Sequence, residues 1–278
     1  MRLGAPVFGH SSASEWVEAH VKKGYTAAYW PLGDDAPRSK VNDYLQAAKD
    51  NDLVIAEVGI WNNLLDPDAE KRQANFEKSV KRLETAEYVG ACCCVNISGS
   101  RSTLWDGPHP LNLTKETYDM VVENTQRLID IVKPSHTKFT LEPMPWMYPH
   151  DEQDVLRLIR NIDRDAFAAH VDMVNLVNSY DKYIATGEMT DRFFGALAPY
   201  IRSVHLKDTK IIGERLTLHI DEALPGEGEF DYPALIRNCA ALHDDLPMMI
   251  EHLRSEDEYD RAAANICRIT EGMGLSFK

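Results

Sequence analysis

The chain has 278 residues, of which 44% are hydrophobic and 27% are charged, a balance that suits a large folded α/β domain. Its formal net charge of −14 opposes binding to nucleic-acid backbones and to anionic membranes, because like charges repel. No apolar run approaches the roughly 20 residues that cross a bilayer, and the first residues lack a secretory signal. We therefore expect a cytoplasmic protein without nucleic-acid or membrane partners.

Short apolar runs alternate with longer amphipathic stretches about eight times along the chain. Each run is nearly continuously apolar, which is typical of parallel strands that helices cover on both faces. We predict eight strands, at Leu3 to Phe8, Tyr25 to Trp30, Leu53 to Trp61, Ala91 to Ile97, Lys138 to Glu142, Phe167 to Asp172, Ile201 to Leu206 and Pro247 to His252.

Helix start and stop signals lie between these runs. Capping residues and prolines mark the starts, and glycines mark several of the ends. We predict helices that begin at Ser12 or Ser14, Asp66-Pro67, Thr114, Asp151, Asp231-Tyr232-Pro233 and about Glu256.

Strands that alternate with helices in this way form a parallel barrel or a doubly wound sheet. No GxGxxG or GxxxxGK[ST] motif follows the first strand, so the usual signatures of the dinucleotide-binding and P-loop sheets are missing. The predicted fold is therefore a (β/α)₈ TIM barrel. No linker or low-complexity segment interrupts the chain, and residues 1–278 are predicted to form a single domain.

The ends of the last four predicted strands carry the candidate chemistry. In a (β/α)₈ barrel the active site lies at the carboxyl ends of the strands. Glu142 and Asp172 are the last residues of predicted strands five and six, and His205 and Glu251 are the next-to-last residues of strands seven and eight. Buried carboxylates need compensation, and a divalent cation held by three carboxylates and one imidazole provides it. Such a ligand set favours Mn²⁺, with Mg²⁺ or Co²⁺ as alternatives, whereas ion pairs that only line the barrel mouth are the structural alternative.

These strand ends also carry a family resemblance. The strings LEPMP, HVDMVN, VHLKD, IEH and PGEGEFDYPAL resemble the xylose isomerase-like sugar isomerase/epimerase superfamily, over nearly the whole chain. The resemblance implies the same metal ligands. It also implies that Glu142 and Glu251 move the substrate proton, since in the ketose 3-epimerases of that superfamily the two glutamates remove and return a proton beside a carbonyl.

Two departures from those epimerases favour a different outcome of the same chemistry. Asn175 replaces a histidine three residues after the aspartate ligand, and Ile211 replaces an arginine six residues after the histidine ligand. The resemblance then extends to lyases that eliminate a β-leaving group from a keto-inositol or a 3-keto-glycoside. A lyase needs an additional acid or base, and we identify His10, His109 and His150 as candidates in predicted βα loops.

The remaining candidates are substrate contacts. Aromatic rings stack on sugar rings, which indicates Trp30 and Trp146, whereas Trp61 is assigned to packing at the rim. Polar contacts are predicted from Asn96, Asn175, His10 and Lys207, with loop capping or a salt bridge as the alternatives. His150 is the predicted proton shuttle. His252 follows a ligand directly, so its side chain is predicted to point away from the metal.

Three classes of function remain open from the sequence. A sugar isomerase or epimerase is the leading hypothesis, a metal-dependent lyase is the second, and a barrel that only binds sugar or a partner is the third. The expected partner is a small carbohydrate. A homo-oligomer is an expectation from the family, and an accessory subunit that completes the site is left open.

Overall fold

The computed structural model describes residues 1–213 and 216–278 and contains a closed parallel barrel. Around the barrel the strand order is β1-β10-β7-β6-β5-β4-β3-β2. The predicted TIM-barrel fold is thus confirmed. Its strands are β1 Arg2–Gly4, β2 Ala27–Tyr29, β3 Val54–Gly59, β4 Cys93–Asn96, β5 Lys138–Leu141, β6 Phe167–Val171, β7 Ile201–Leu206 and β10 Pro247–Ile250.

Helices connect consecutive strands and cover the outside of the barrel. They are α1 Ala13–Lys23, α2 Arg38–Asp50, α3 Ala69–Val89, α4 Lys115–Val132, α5 Glu152–Ile162, α6 Tyr180–Tyr183, α7 Thr186–Leu197, α8 Tyr232–Ala240 and α9 Glu256–Gly272. A 3₁₀ turn, Ala198–Tyr200, precedes β7. No helix in the described ranges combines the length and hydropathy that a membrane span needs.

The cap residues explain where several helices begin. Ser12 caps α1 in a capping box with Glu15, and the side chains of Thr114 and Asp151 accept backbone N–H bonds at the starts of α4 and α5. The predicted start at Asp66-Pro67 is wrong by two residues. Asp68 caps α3 instead, because Asp66 accepts the Asp68 N–H in a turn that precedes the helix.

Two short strands after β7 were not predicted from the sequence. After β7 the chain forms an antiparallel hairpin of β8, Asp208–Ile211, and β9, Ile220–Ala223. Both Asp208 oxygens anchor the returning chain by accepting backbone N–H bonds, among them those of Gly228 and Phe230. The hairpin stands at the carboxyl end of the barrel and contributes to the wall of the cavity described below.

Barrel closure sets the level of the functional side chains. β1 pairs with β10 through Leu3 and Met248, and β10 pairs with β7 through Met249 and His205. The hydrophobic core lies mainly between the outer faces of the strands and the surrounding helices. Side chains that point inward at the carboxyl ends of β5, β6, β7 and β10 therefore converge on the barrel axis.

Candidate active site

Four side chains converge at the carboxyl end of the barrel. Glu142, Asp172 and Glu251 directly follow β5, β6 and β10, and His205 is the next-to-last residue of β7. Each contributes one atom to a group in which all atoms lie within 4.8 Å of one another. The structure therefore brings together the four residues that the strand ends indicated; their role as ligands remains a prediction.

His205 lies at the centre of this group. Its Nδ1 atom is 2.8 Å from Glu251 Oε1, 3.5 Å from Glu142 Oε1 and 3.8 Å from Asp172 Oδ2. Nδ1, Asp172 Oδ2 and Glu251 Oε1 are buried and make no hydrogen bond to any described residue. Buried polar atoms without partners are costly, so atoms that converge in this way fit a cation ligand set.

Lys207 places an ammonium group beside the same carboxylates. Its Nζ atom is 2.8 Å from Asp172 Oδ2 and 2.9 Å from Glu251 Oε1, at angles that form ion pairs but not hydrogen bonds. Three carboxylates and one ammonium leave two negative charges, which a divalent cation would neutralise. The donor set and the charge balance thus both suit a divalent metal ion.

The pKa values follow from this crowding of charges. Burial and the neighbouring Glu251 raise the pKa of Glu142. Burial also opposes ionisation of Glu251, but His205 and Lys207 outweigh it and lower the pKa of Glu251 to about 2. The pKa of His205 is raised well above its usual value because carboxylates surround it. Metal binding at Nδ1 would therefore release a proton.

Glu57, which was not predicted, holds His205 from the other side. Its Oε2 lies 3.1 Å from His205 Nε2, and its Oε1 lies 3.0 Å from His170 Nε2 and also accepts the Ser203 hydroxyl. Burial opposes ionisation of Glu57, but the two imidazoles lower its pKa. A carboxylate on one ring nitrogen orients the other nitrogen toward a metal. The signal in the sequence was a single carboxylate within the apolar run Leu53 to Trp61.

A cavity of about 1070 Å³ opens above the four residues. Glu142 and Glu251 reach its floor, and Trp61, Trp105 and Trp146 are among its walls. The prediction that Trp61 only packs at the rim is therefore corrected. Trp61 is 40% exposed, and its indole is tilted by 37° to the imidazole of His205, with ring centroids 6.5 Å apart. Trp146, a predicted substrate wall, does line the cavity.

Two predicted polar contacts lie at the floor. Asn175 donates from Nδ2 to Glu142 Oε1 at 2.8 Å and accepts from Lys207 Nζ at 3.1 Å. Asn175 lines the cavity, whereas Lys207 is buried behind the carboxylates. Both residues therefore hold the carboxylate cluster in position in addition to any contact with substrate.

Other predicted contacts lie elsewhere. The indole of Trp30 packs in the core against Trp16 and Tyr44, because its side chain points outward to α1 and α2. Asn96 is fully buried and bonded to Asn62 through both its amide oxygen and its amide nitrogen. Neither residue lines the cavity, so the predicted substrate contacts at Trp30 and Asn96 are corrected.

The predicted histidines also separate in space. His150 forms an ion pair with Asp154 and does not line the main cavity, so its predicted role as proton shuttle has no direct path to substrate there. His10 lines a smaller cavity of about 220 Å³, which shares Pro6 and Tyr29 with the main one.

His252 does line the main cavity, contrary to the prediction. Its backbone has a φ of 60°, so the strand alternation that was assumed ends at Glu251. His252 Nδ1 lies 3.1 Å from Glu222 Oε1, on the hairpin that the sequence did not reveal.

The architecture and this site define a class: a parallel barrel with a carboxylate–imidazole group suited to a metal at its carboxyl end. The family model for xylose isomerase-like TIM barrels matches residues 15–269. The chain therefore belongs to the xylose isomerase-like TIM barrel family.

Individual relatives are distant in sequence. The protein YihM of Escherichia coli is 21% identical over 146 residues, a match that spans 52% of this chain and 42% of that protein. Three solved structures share the fold. A xylose isomerase-like TIM barrel protein of Mycobacterium smegmatis in complex with magnesium is 16% identical, with 96% and 95% of the two chains covered and a TM-score of 0.66.

The other two structures are epimerases. The 3-keto-D-glucoside 4-epimerase YcjR of Escherichia coli is 17% identical, with 97% and 98% of the chains covered and a TM-score of 0.67. A D-psicose 3-epimerase of Clostridium cellulolyticum, determined with D-tagatose, is 13% identical, with 99% and 100% covered and a TM-score of 0.70. At these identities the similarity establishes the fold.

Proposed function

We propose that the chain is a divalent-metal-dependent enzyme of the sugar isomerase or epimerase type, which removes a proton beside a carbonyl group of a sugar-like substrate. One observation carries the proposal. Glu142 and Glu251 both reach the cavity floor, and both belong to the group around His205 Nδ1. The same two carboxylates can therefore contact a metal and a substrate carbon bound above it.

The chemistry follows from this placement. A bound cation, Mn²⁺ by the one-nitrogen and three-carboxylate ligand set, would polarise the carbonyl and make the neighbouring C–H acidic. One of Glu142 and Glu251 accepts that proton on a carboxylate oxygen, and the other returns a proton to the opposite face of the carbon. Asn175 keeps Glu142 in position through its 2.8 Å hydrogen bond.

The cavity also supports this assignment. Glu142 and Glu251 make the floor acidic, and the remaining lining combines aromatic and aliphatic side chains with several polar ones. A sugar ring presents hydroxyl groups at its edge and C–H groups on its faces, which matches such a division.

A second candidate, a metal-dependent lyase, is favoured by His252. Elimination needs a group that protonates the departing substituent in addition to the base that removes the proton. The imidazole of His252 lies in the cavity, with Nε2 3.8 Å from Glu251 Oε1. His252 is therefore the candidate acid in this reading, instead of His10, His109 and His150, which the sequence suggested for this role.

The test is NMR of ketoses, keto-inositols and 3-keto-glycosides incubated with Mn²⁺-loaded protein in D₂O. Deuterium at one carbon of an intact skeleton is the expected result and identifies an isomerase or epimerase. A new double bond or a released substituent identifies the lyase. Full activity of the metal-stripped protein would contradict both proposals. Full activity of the double variant Glu142→Gln/Glu251→Gln would contradict them as well.

A further inference from the structure

The distribution of tryptophan in this chain is uneven. The chain has five tryptophans. Trp16 and Trp30 are buried in the core, 1% and 6% exposed. The other three, Trp61, Trp105 and Trp146, are 36–40% exposed, and all three line the main cavity. Exposing indole surface to water is unfavourable, so three such side chains at one cavity suggest a ligand that covers them.

The three indoles come from three different loops, and a hydrogen bond fixes one of them. Trp61 follows β3, Trp105 lies in the loop between β4 and α4, and Trp146 lies in the loop between β5 and α5. Trp146 Nε1 donates to the backbone oxygen of Asp106 at 2.7 Å, which connects two of these loops. The aromatic wall is therefore partly organised before any ligand binds, which lowers the entropic cost of binding.

The position of Trp61 has a conformational cost. Its φ is 50°, in the left-handed region that bulky residues rarely adopt. A Cβ atom at Gly59 would collide with the Trp61 indole, so the glycine makes room for it. Strained backbone that places a side chain at a site edge is typical of ligand contacts.

The size of the cavity exceeds the needs of a single small ring. Its volume of about 1070 Å³ is just above the roughly 300–1,000 Å³ that sites for drug-sized ligands have. A sugar ring over Glu142 and Glu251 would leave the space beside the tryptophans free. That space is suited to a second, apolar group attached to the sugar.

The charge at the cavity wall limits what this second group can be. Besides the two glutamates of the floor, Asp106, Asp221 and Glu222 line the cavity, and its described lining includes no lysine or arginine. A phosphate or carboxylate on the substrate would be repelled there.

From these observations we infer that the substrate is an uncharged keto-glycoside: a sugar ring with a carbonyl group held over the glutamates and an aromatic or alicyclic aglycone stacked among Trp61, Trp105 and Trp146. The sugar half of this inference rests on the proposed function. The aglycone half rests on the wall of the cavity alone.

Calorimetric titration tests this inference with three analogues that lack the carbonyl group and therefore bind without reacting. They are methyl β-D-glucoside, phenyl β-D-glucoside and the 6-phosphate of the phenyl compound. The phenyl glucoside is expected to bind about tenfold more tightly than the methyl glucoside, since aromatic stacking supplies that order of preference. The 6-phosphate is expected to bind more weakly than either. Trp105→Ala and Trp146→Ala should remove the preference, because they should weaken binding of the phenyl glucoside more than binding of the methyl glucoside.

Tyr200→Ala is the matched control, because Tyr200 is 37% exposed but lies outside the cavity lining. It should keep the preference. Trp105→Phe retains an aromatic face and should keep most of the preference for the phenyl glucoside. It also serves as the test if an alanine variant fails to fold. Equal binding of the two neutral glucosides, tighter binding of the phosphate, or no binding of any of them would overturn the inference.

These outcomes are separate from those of the proposed function. A protein that prefers the phenyl glucoside but shows no metal-dependent deuterium exchange retains the aglycone site and loses the proposed reaction. A protein that exchanges deuterium into free ketoses but shows no preference retains the reaction and loses the aglycone site.

Discussion

The imidazole of His205 separates two buried carboxylate clusters that differ in how their charge is satisfied. The inner cluster is Glu57 with His170 and Ser203; the outer cluster is Glu142, Asp172 and Glu251 with Lys207. Both oxygens of Glu57 are hydrogen-bonded to the chain. In the outer cluster Asp172 Oδ2 and Glu251 Oε1 have no hydrogen bond to any described residue.

This difference separates Glu57, a carboxylate that supports the fold, from the outer carboxylates, which can bind a ligand. A buried carboxylate whose hydrogen bonds the chain supplies stabilises the fold and orients its neighbours. A buried carboxylate that the chain leaves incompletely satisfied has capacity for a ligand. Substitutions in the outer cluster should therefore affect reaction and metal binding, whereas substitutions in the inner cluster should affect stability and the geometry of His205.

The largest effect is expected from the outer cluster. Glu251→Gln keeps the shape of the side chain but removes a proton acceptor and a charged ligand, so turnover of a substrate found by the NMR screen should fall by about 10²–10⁴-fold. Steady-state kinetics with Mn²⁺ measures it. Asp221→Asn, which removes a carboxylate that lines the cavity away from Glu251, is the control and should change turnover by less than tenfold. Equal losses in the two variants would contradict the assignment.

Glu57→Gln should reduce stability by about 3–5 kcal/mol, because it leaves a buried histidine pair without its carboxylate. Metal affinity should also fall about 10–100-fold, as for other partners of ligating histidines. Denaturant unfolding and calorimetric Mn²⁺ titration measure the two effects. A variant with normal stability and normal metal affinity would show that Glu57 does not position His205.

His20 is as buried as His205 but has no carboxylate partner, so its pKa shifts in the opposite direction. Burial lowers the pKa of His20 to about 4, and its Nδ1 bonds only to the Trp16 carbonyl. Below a pH of about 6.5 the unfolded chain takes up a proton that folded His20 does not accept. Stability should therefore decrease as the pH falls from 6.5 to 4, by at most about 3 kcal/mol.

Unfolding free energies of wild type and His20→Gln between pH 8 and pH 4 test this. The variant should lose that part of the pH dependence, so the difference between the two proteins should shrink as the pH falls. A constant difference over this range would contradict the predicted pKa.

The smallest effect is expected at Lys207. Its ammonium is the positive charge that already occupies the outer cluster, so Lys207→Met should increase Mn²⁺ affinity on the order of tenfold. If Lys207 only stabilised the fold, Lys207→Met would instead lower the Mn²⁺ affinity, since its loss would disorder the carboxylates. Calorimetric titration decides between them, with Lys210→Met on the exposed hairpin as the control.

The sequence predicted the barrel and the four residues of the site because both depend on strand periodicity. Glu142, Asp172, His205 and Glu251 each lie at or next to the last residue of an apolar run, and parallel strands in a barrel end at one level. Glu57 lies inside β3 and not at its end, so the strand-end pattern does not indicate it, although a carboxylate within an apolar run is itself a signal.

The cavity walls could not be derived in the same way. Trp30 and Asn96 also lie at strand ends, but Trp30 points outward to the helices and Asn96 bonds to a neighbouring loop. His252 turns into the cavity because its backbone leaves the strand conformation. These outcomes depend on loop geometry and on the β8–β9 hairpin, for which no local sequence pattern was found.

The most direct test of the central claim is calorimetric titration of the metal-stripped protein with Mn²⁺. We predict one ion per chain in the wild type, weaker binding at the same stoichiometry in Glu57→Gln, and no measurable binding in Asp172→Asn. Absence of binding in a folded wild type, or unchanged binding in Asp172→Asn, would contradict a metal site at the outer cluster.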